Sequence, residues 1–120
     1  MNYIKEVAKL NSPKFNVPSD PDIVHGIIGI GTESGELLDQ LKKSIFYGRE
    51  LDLVNLKEEL GDLLWYVALL CHALNCTFEE LQTKNIEKLH ARYKEKKFSE
   101  TECENRNLEN ERGVLEKNHE

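Results

Sequence analysis

Two short stretches of the chain carry acids at the same spacing. ESGELL holds Glu33 and Glu36, and ELGDLL holds Glu59 and Asp62. On a helix, residues three apart have Cβ atoms about 5–6 Å apart, so each pair sets two carboxylates side by side. Like charges at that spacing repel. Asp39, three after Glu36, and Glu58, four before Asp62, add to the repulsion. If the two helices are antiparallel neighbours, four carboxylates converge and a positive partner has to offset them. No His or Cys lies among the four. An all-oxygen donor set suits a hard divalent cation, with Mg²⁺ the natural choice and Mn²⁺ the alternative.

The acids border an apolar stripe on each helix. With Glu33 at zero on a wheel of about 100° per residue, Ile30, Leu37, Leu38, Leu41 and Ile45 fall between about 40° and 140°, and Glu36 at about 300°. With Glu59 at zero, Leu53, Leu56, Leu60, Leu63, Leu64 and Val67 fill nearly the same arc, and Asp62 takes the place of Glu36. These stripes are expected to form the core. Gly35 and Gly61 are mid-helix, where glycine costs roughly 1 kcal/mol against alanine. Close backbone approach or room for a ligand would justify them.

A third helix carries the opposite charge. With Asn85 at zero, Ile86, Leu89 and Tyr93 lie at about 40–100°, Lys88 at about 300° and Arg92 at about 340°, with Lys84 one step further round. Carboxylates on two helices and a cationic edge on a third are the layout expected for a metal ion and a phosphate. Snorkelling over apolar surface is the competing account of Lys88 and Arg92. His25 shares a side of its helix with Glu36, and Tyr66 lies near Glu59 and Asp62. Either could face a ligand at the acids or serve packing. Trp65 is expected to point away from the acid edge, into a core or subunit interface.

The elements that position these groups can be read from local signals. A first helix spans about residues 2–10, with Tyr3, Val7 and Leu10 on one side. Asp20 caps a second, with Pro21 at its first position, and Gly48 stops it. Asp52 caps a third helix, which Asn75 ends near Leu74. Thr77 and Glu80 are spaced as a capping box for a fourth, reaching about Lys96. Short connections between long helices imply an all-α antiparallel bundle. Residues 1–98 form one domain. Residues 99–120 are a polar extension with seven acids against three Lys/Arg, either frayed or ordered against a partner subunit.

Composition narrows the function. The net charge is −6, which disfavours nucleic acid but not a nucleotide bridged through a cation. No apolar run reaches the roughly 18–20 residues of a membrane span, and no leader is evident at the start. A cytoplasmic protein with neither nucleic-acid nor membrane partner is expected. Three cysteines without a C-x-x-C pair argue against disulfide scaffolding and a thiolate metal site.

Taken in order, Glu33-x-x-Glu36, Glu59-x-x-Asp62 within EELGDLLWYV, and NIEKLHARYKEKKF resemble the MazG-like nucleoside triphosphate pyrophosphohydrolases. The likeness covers roughly residues 23–98. It implies an all-α fold of that type, active as a homodimer or homotetramer. It also implies hydrolysis of a (deoxy)nucleoside triphosphate between the α- and β-phosphates, giving the monophosphate and pyrophosphate. By motif match, Glu33, Glu36, Glu59 and Asp62 would hold Mg²⁺, and Asn85, Lys88 and Arg92 would contact the phosphate chain. The family usually writes RYP-x-x-F. Here Lys94 stands for the proline and the segment is one residue longer, so the chain departs from the pattern after Tyr93.

Two other readings compete. A di-iron helical protein needs two E-x-x-H motifs, and only Glu87-x-x-His90 fits. A non-catalytic helical interaction module would carry the acids as a solvated face.

Overall fold

The computed structural model describes residues 1–93, 100–102, 106 and 108–117 with their side chains, and 103–104 as helical backbone. Among the described residues there are six helices and no strand: α1 (Tyr3–Leu10), α2 (Pro21–Tyr47), α3 (Leu53–Ala73), α4 (Phe78–Arg92), α5 (Glu100–Glu104) and α6 (Leu108–Glu116). The chain forms two compact units, Met1–Tyr66 and Val67–Glu120, and the border between them falls inside α3.

In the first unit, side-chain caps set the helix starts. Asn2 accepts from the Lys5 N–H at 3.3 Å, Asp20 from the Asp22 N–H at 2.9 Å, and Asp52 from the Asn55 N–H at 3.1 Å. Each satisfies a backbone donor that the helix cannot. Gly48 closes α2 in the left-handed region at φ 66°, where a Cβ would be strained.

The pairing of α2 with α3 is read from four contacts. Gln40 donates to Asn55. Glu36 lies against Glu59. Glu33 clusters with Asp62. Gly29 lies under the Tyr66 ring. As the number rises along α2 it falls in step along α3, so the helices are antiparallel. The steps are four, three and four residues on both, which is one continuous row on each helix.

The close approach expected at Gly35 or Gly61 occurs instead at Gly29. A Cβ there would sit 2.2 Å from the Tyr66 ring, whereas one at Gly35 or Gly61 would meet nothing within 4 Å. The apolar stripes also differ from expectation. Ile30, Leu37, Leu56 and Leu63 are half-buried, but Leu38, Leu41, Ile45, Leu53, Leu60 and Leu64 are 45–66% exposed. The stripe is wider than the row that makes contact, so the rest of it finds no full cover among the described residues.

In the second unit, α3 ends at Ala73 and Asn75 turns the chain at φ 54°, a conformation asparagine tolerates better than most. Thr77 caps α4 by accepting from the Glu80 N–H at 3.1 Å. Helix α4 stops at Arg92, short of Lys96, because Tyr93 is extended. Residues 94–99 lie outside the described residues, and with them the departure at Lys94. The C-terminal extension is not frayed over its described residues. It forms α5 and α6, and α6 packs on α4 of the same chain. Cys71 is buried and Cys76 half-buried, both as free thiols. Burial lifts the Cys76 thiol above its usual range, which keeps it protonated and unreactive.

Candidate active site

The register that sets Glu36 against Glu59 and Glu33 against Asp62 builds the acid cluster. One carboxylate oxygen from each of Glu33, Glu59 and Asp62 lies within 4.8 Å of the others. Glu59 is only 9% exposed, Glu33 is half-buried, and Asp62 and Glu36 face outward. Glu33 Oε2 and Glu59 Oε2 are buried with no hydrogen-bond partner. Buried carboxylate oxygens normally find donors. Two orphans beside two further acids are what a cation's ligands look like before the cation is considered, and the all-oxygen donors fit a hard divalent ion.

The electrostatics agree. The hydrogen bond and charge of Glu59 lift the Glu36 carboxyl above its usual range, with burial and Asp62 adding to the rise. Contact with Glu33 lifts Glu59 as well, opposed in part by its bond with Glu36 and reinforced by burial. Carboxylates this close coexist only by sharing a proton or a cation. The neighbouring acids stay out of the cluster. Asp39 pairs with Lys43 at 2.8 Å, which holds its carboxyl below the usual range. Glu58 accepts from Asn55 at 3.2 Å.

A cavity of 460 Å³ opens beside the cluster, lined by Glu33, Asp62, Trp65 and Tyr66. Trp65 therefore does not point away from the acids. It lies three residues after Asp62 and shares that side of α3. Its ring is 57% exposed and stands edge-on to Tyr66, with centroids 5.2 Å apart. His25 meets Tyr66 at 5.5 Å and Trp65 at 6.1 Å. The three rings form one aromatic group at the acids, of which His25 and Tyr66 were legible in the sequence and Trp65 was not.

The cationic residues belong to α4, in the second unit. Lys84 and Lys88 are half-buried and Asn85 is exposed. Arg92 is already engaged: its Nε donates to Glu111 Oε1 at 2.7 Å. Glu111, on α6, is 3% exposed and was not anticipated from the sequence. The group of possible metal ligands found among the described residues is Glu33, Glu59 and Asp62, and the lone E-x-x-H at Glu87 and His90 is not part of it.

An antiparallel helix pair that opposes two E-x-x-E/D segments beside an aromatic-lined cavity defines an all-α carboxylate-site protein. The chain belongs to the MazG nucleotide pyrophosphohydrolase domain family, which matches residues 27–96. That span holds all four acids, Tyr66, Trp65 and the α4 residues, whereas His25 precedes it. The Gene 37 protein of Mycobacterium phage L5 is 29% identical over 100 residues, covering 74% of this chain and 85% of that protein. No solved structure matches the chain significantly.

Proposed function

We propose that the chain hydrolyses (deoxy)nucleoside triphosphates between the α- and β-phosphates, releasing the monophosphate and pyrophosphate. The observation that carries this reading is the opposed carboxylate group with its two orphaned oxygens, Glu33 Oε2 and Glu59 Oε2. Glu33, Glu59 and Asp62 would hold Mg²⁺, or Mn²⁺ in its place. The ion would supply charge neutralisation and Lewis-acid polarisation at the phosphates.

Glu36 stands outside the tight triad on an exposed face. In this reading it completes the cation's shell, and the proton of the attacking water goes to Glu33 or, in its place, to Glu36. Tyr66, Trp65 and His25 would pack against the nucleobase. Lys84, Asn85 and Lys88 would meet the phosphate chain and the charge growing on the leaving pyrophosphate.

Surface area supports assembly into a homodimer or homotetramer. Leu38, Leu41, Leu53, Leu60 and Leu64 are 45–66% exposed. The uncovered leucines of α2 and α3 are the natural contact. The reading includes no nucleic-acid or membrane partner and a cytoplasmic location. It is supported by the −6 charge and by no single helix among the described residues being long and apolar enough to cross a membrane.

The test is pyrophosphate release from a panel of canonical and damaged triphosphates, with Mg²⁺ and with chelator. Turnover that needs the metal is expected. A non-catalytic helical module would release none.

A further inference from the structure

Arg92 lies in the segment whose resemblance assigns it to a phosphate, yet in this chain its guanidinium is given to a carboxylate. Arg92 Nε donates to Glu111 Oε1 at 2.7 Å and Nη2 to Oε2 at 3.4 Å. Arg106 Nη2 donates to the same Oε2 at 2.7 Å. Glu111 is 3% exposed and Arg92 11%. We propose that Arg92 and Arg106 form an anion site of phosphate type, which the chain fills with its own Glu111, so that α6 is an internal plug displaced by a polyphosphate. The identity of the anion rests on the nucleotide reading above.

Three observations carry the inference. First, two guanidinium groups converge on one carboxylate, so the three side chains together are net positive. A phosphate group with two negative charges and three oxygens matches two arginine forks better than a carboxylate does. Second, the apolar side chains of α6 are only partly covered. It is nine residues long, too short to be stable alone. Leu108 is 63% exposed and Leu115 40%, and Val114 is only half-buried. Glu111 is the residue of α6 buried most deeply against α4.

Third, the exchange leaves no charge stranded. Breaking a buried ion pair is costly when one partner stays behind unpaired. Here Glu111 would leave with α6 into water while phosphate oxygens enter beside Arg92. One solvated anion is traded for another, and the guanidinium groups remain paired throughout. The affinity of the site for phosphate is lowered by the fraction of time that Glu111 fills it.

The experiment uses the full chain without divalent metal, so that binding is separated from hydrolysis. Backbone amide exchange over 108–116 is followed as pyrophosphate is added. Saturable acceleration is expected, and sodium chloride at equal ionic strength should not reproduce it. By calorimetry, Glu111→Gln should bind pyrophosphate about tenfold more tightly than the parent chain, and adding Arg92→Gln should abolish the gain. If exchange over α6 ignores pyrophosphate, or salt alone has the same effect, Glu111 is a structural staple and the plug is overturned. Equal pyrophosphate affinity in Glu111→Gln and parent overturns it too. Should Glu111→Gln not fold by circular dichroism, the parent chain's exchange decides alone. A chain that hydrolyses no triphosphate yet releases α6 to pyrophosphate would sink the hydrolase and keep the plug. Turnover without that release would do the reverse.

Discussion

The Tyr66 ring crowds Gly29, so closely that a Cβ at position 29 would clash with it. This contact sets the spacing of α2 and α3 where the aromatic group meets the acids. Gly29→Ala should destabilise the chain by about 1–3 kcal/mol through overpacking. Gly35→Ala and Gly61→Ala, which face open space, should stabilise by about 1 kcal/mol through helix propensity. Urea unfolding of the three variants checks the ordering. An unchanged midpoint in Gly29→Ala would mean the ring is not held there.

Glu36→Gln and Glu59→Gln should keep the helical circular dichroism of the parent and lose pyrophosphate release by about 10²–10³-fold. Steady-state release assays with Mg²⁺ decide it. Full activity in both variants would remove the mechanism proposed for the cluster.

The acids also predict how metal and pH act together on stability. Glu36 and Glu59 have raised pKa values in the folded chain, so folding holds their protons more tightly than unfolding does. Without metal, their contribution is most favourable below the ordinary carboxylate pKa and is lost as pH rises through the raised values. A bound divalent cation relieves the repulsion. Adding Mg²⁺ at pH 7 should raise Tm by about 3–6 °C, with a far smaller rise at pH 4. Equal rises at both pH values would point to binding elsewhere.

Glu111 predicts the opposite slope in acid. Arg92 and then Arg106 draw its pKa from the ordinary 4.5 down to about 2. The unfolded chain then binds the proton more readily than the folded one. The stability from this group is complete above pH 4.5 and is lost as pH falls toward 2. The Tm difference between the parent and Glu111→Gln should narrow across that window. A gap that stays constant from pH 5 to pH 2 would show that the carboxylate is not the source.

Trp65→Ala should raise KM for a nucleoside triphosphate by about 5–150-fold, the worth of one base stacked on an aromatic ring. The helical content should be unchanged, because the ring is more than half exposed. A KM equal to the parent's would remove Trp65 from the nucleobase site.

Much of this organisation is written locally. Asp20 with Pro21, Gly48, and Thr77 with Glu80 mark helix ends through neighbours one to three residues away, and a single sequence displays such signals. The acid pairs were legible for the same reason, since spacing of three puts two side chains on one face. Trp65 is placed by Asp62, three residues before it, and not by Glu59, six residues before it. Glu111 had no local mark at all. It is one of seven acids in a polar extension, and its partner Arg92 lies nineteen residues earlier. The apolar stripes gave the correct face for α2 and α3 but not its cover, because hydrophobic periodicity does not say whether burial comes from the same chain.

The matched steps of four, three and four residues have a consequence for insertions. One extra residue between Asn55 and Glu59 would swing every later side chain of α3 round by about 100°, carrying Glu59, Asp62 and Tyr66 off their counterparts together. The same extra residue in the hairpin tip at 49–51 would only lengthen the tip and leave their azimuth alone. The molecule tolerates slack at its bend and none along its rods.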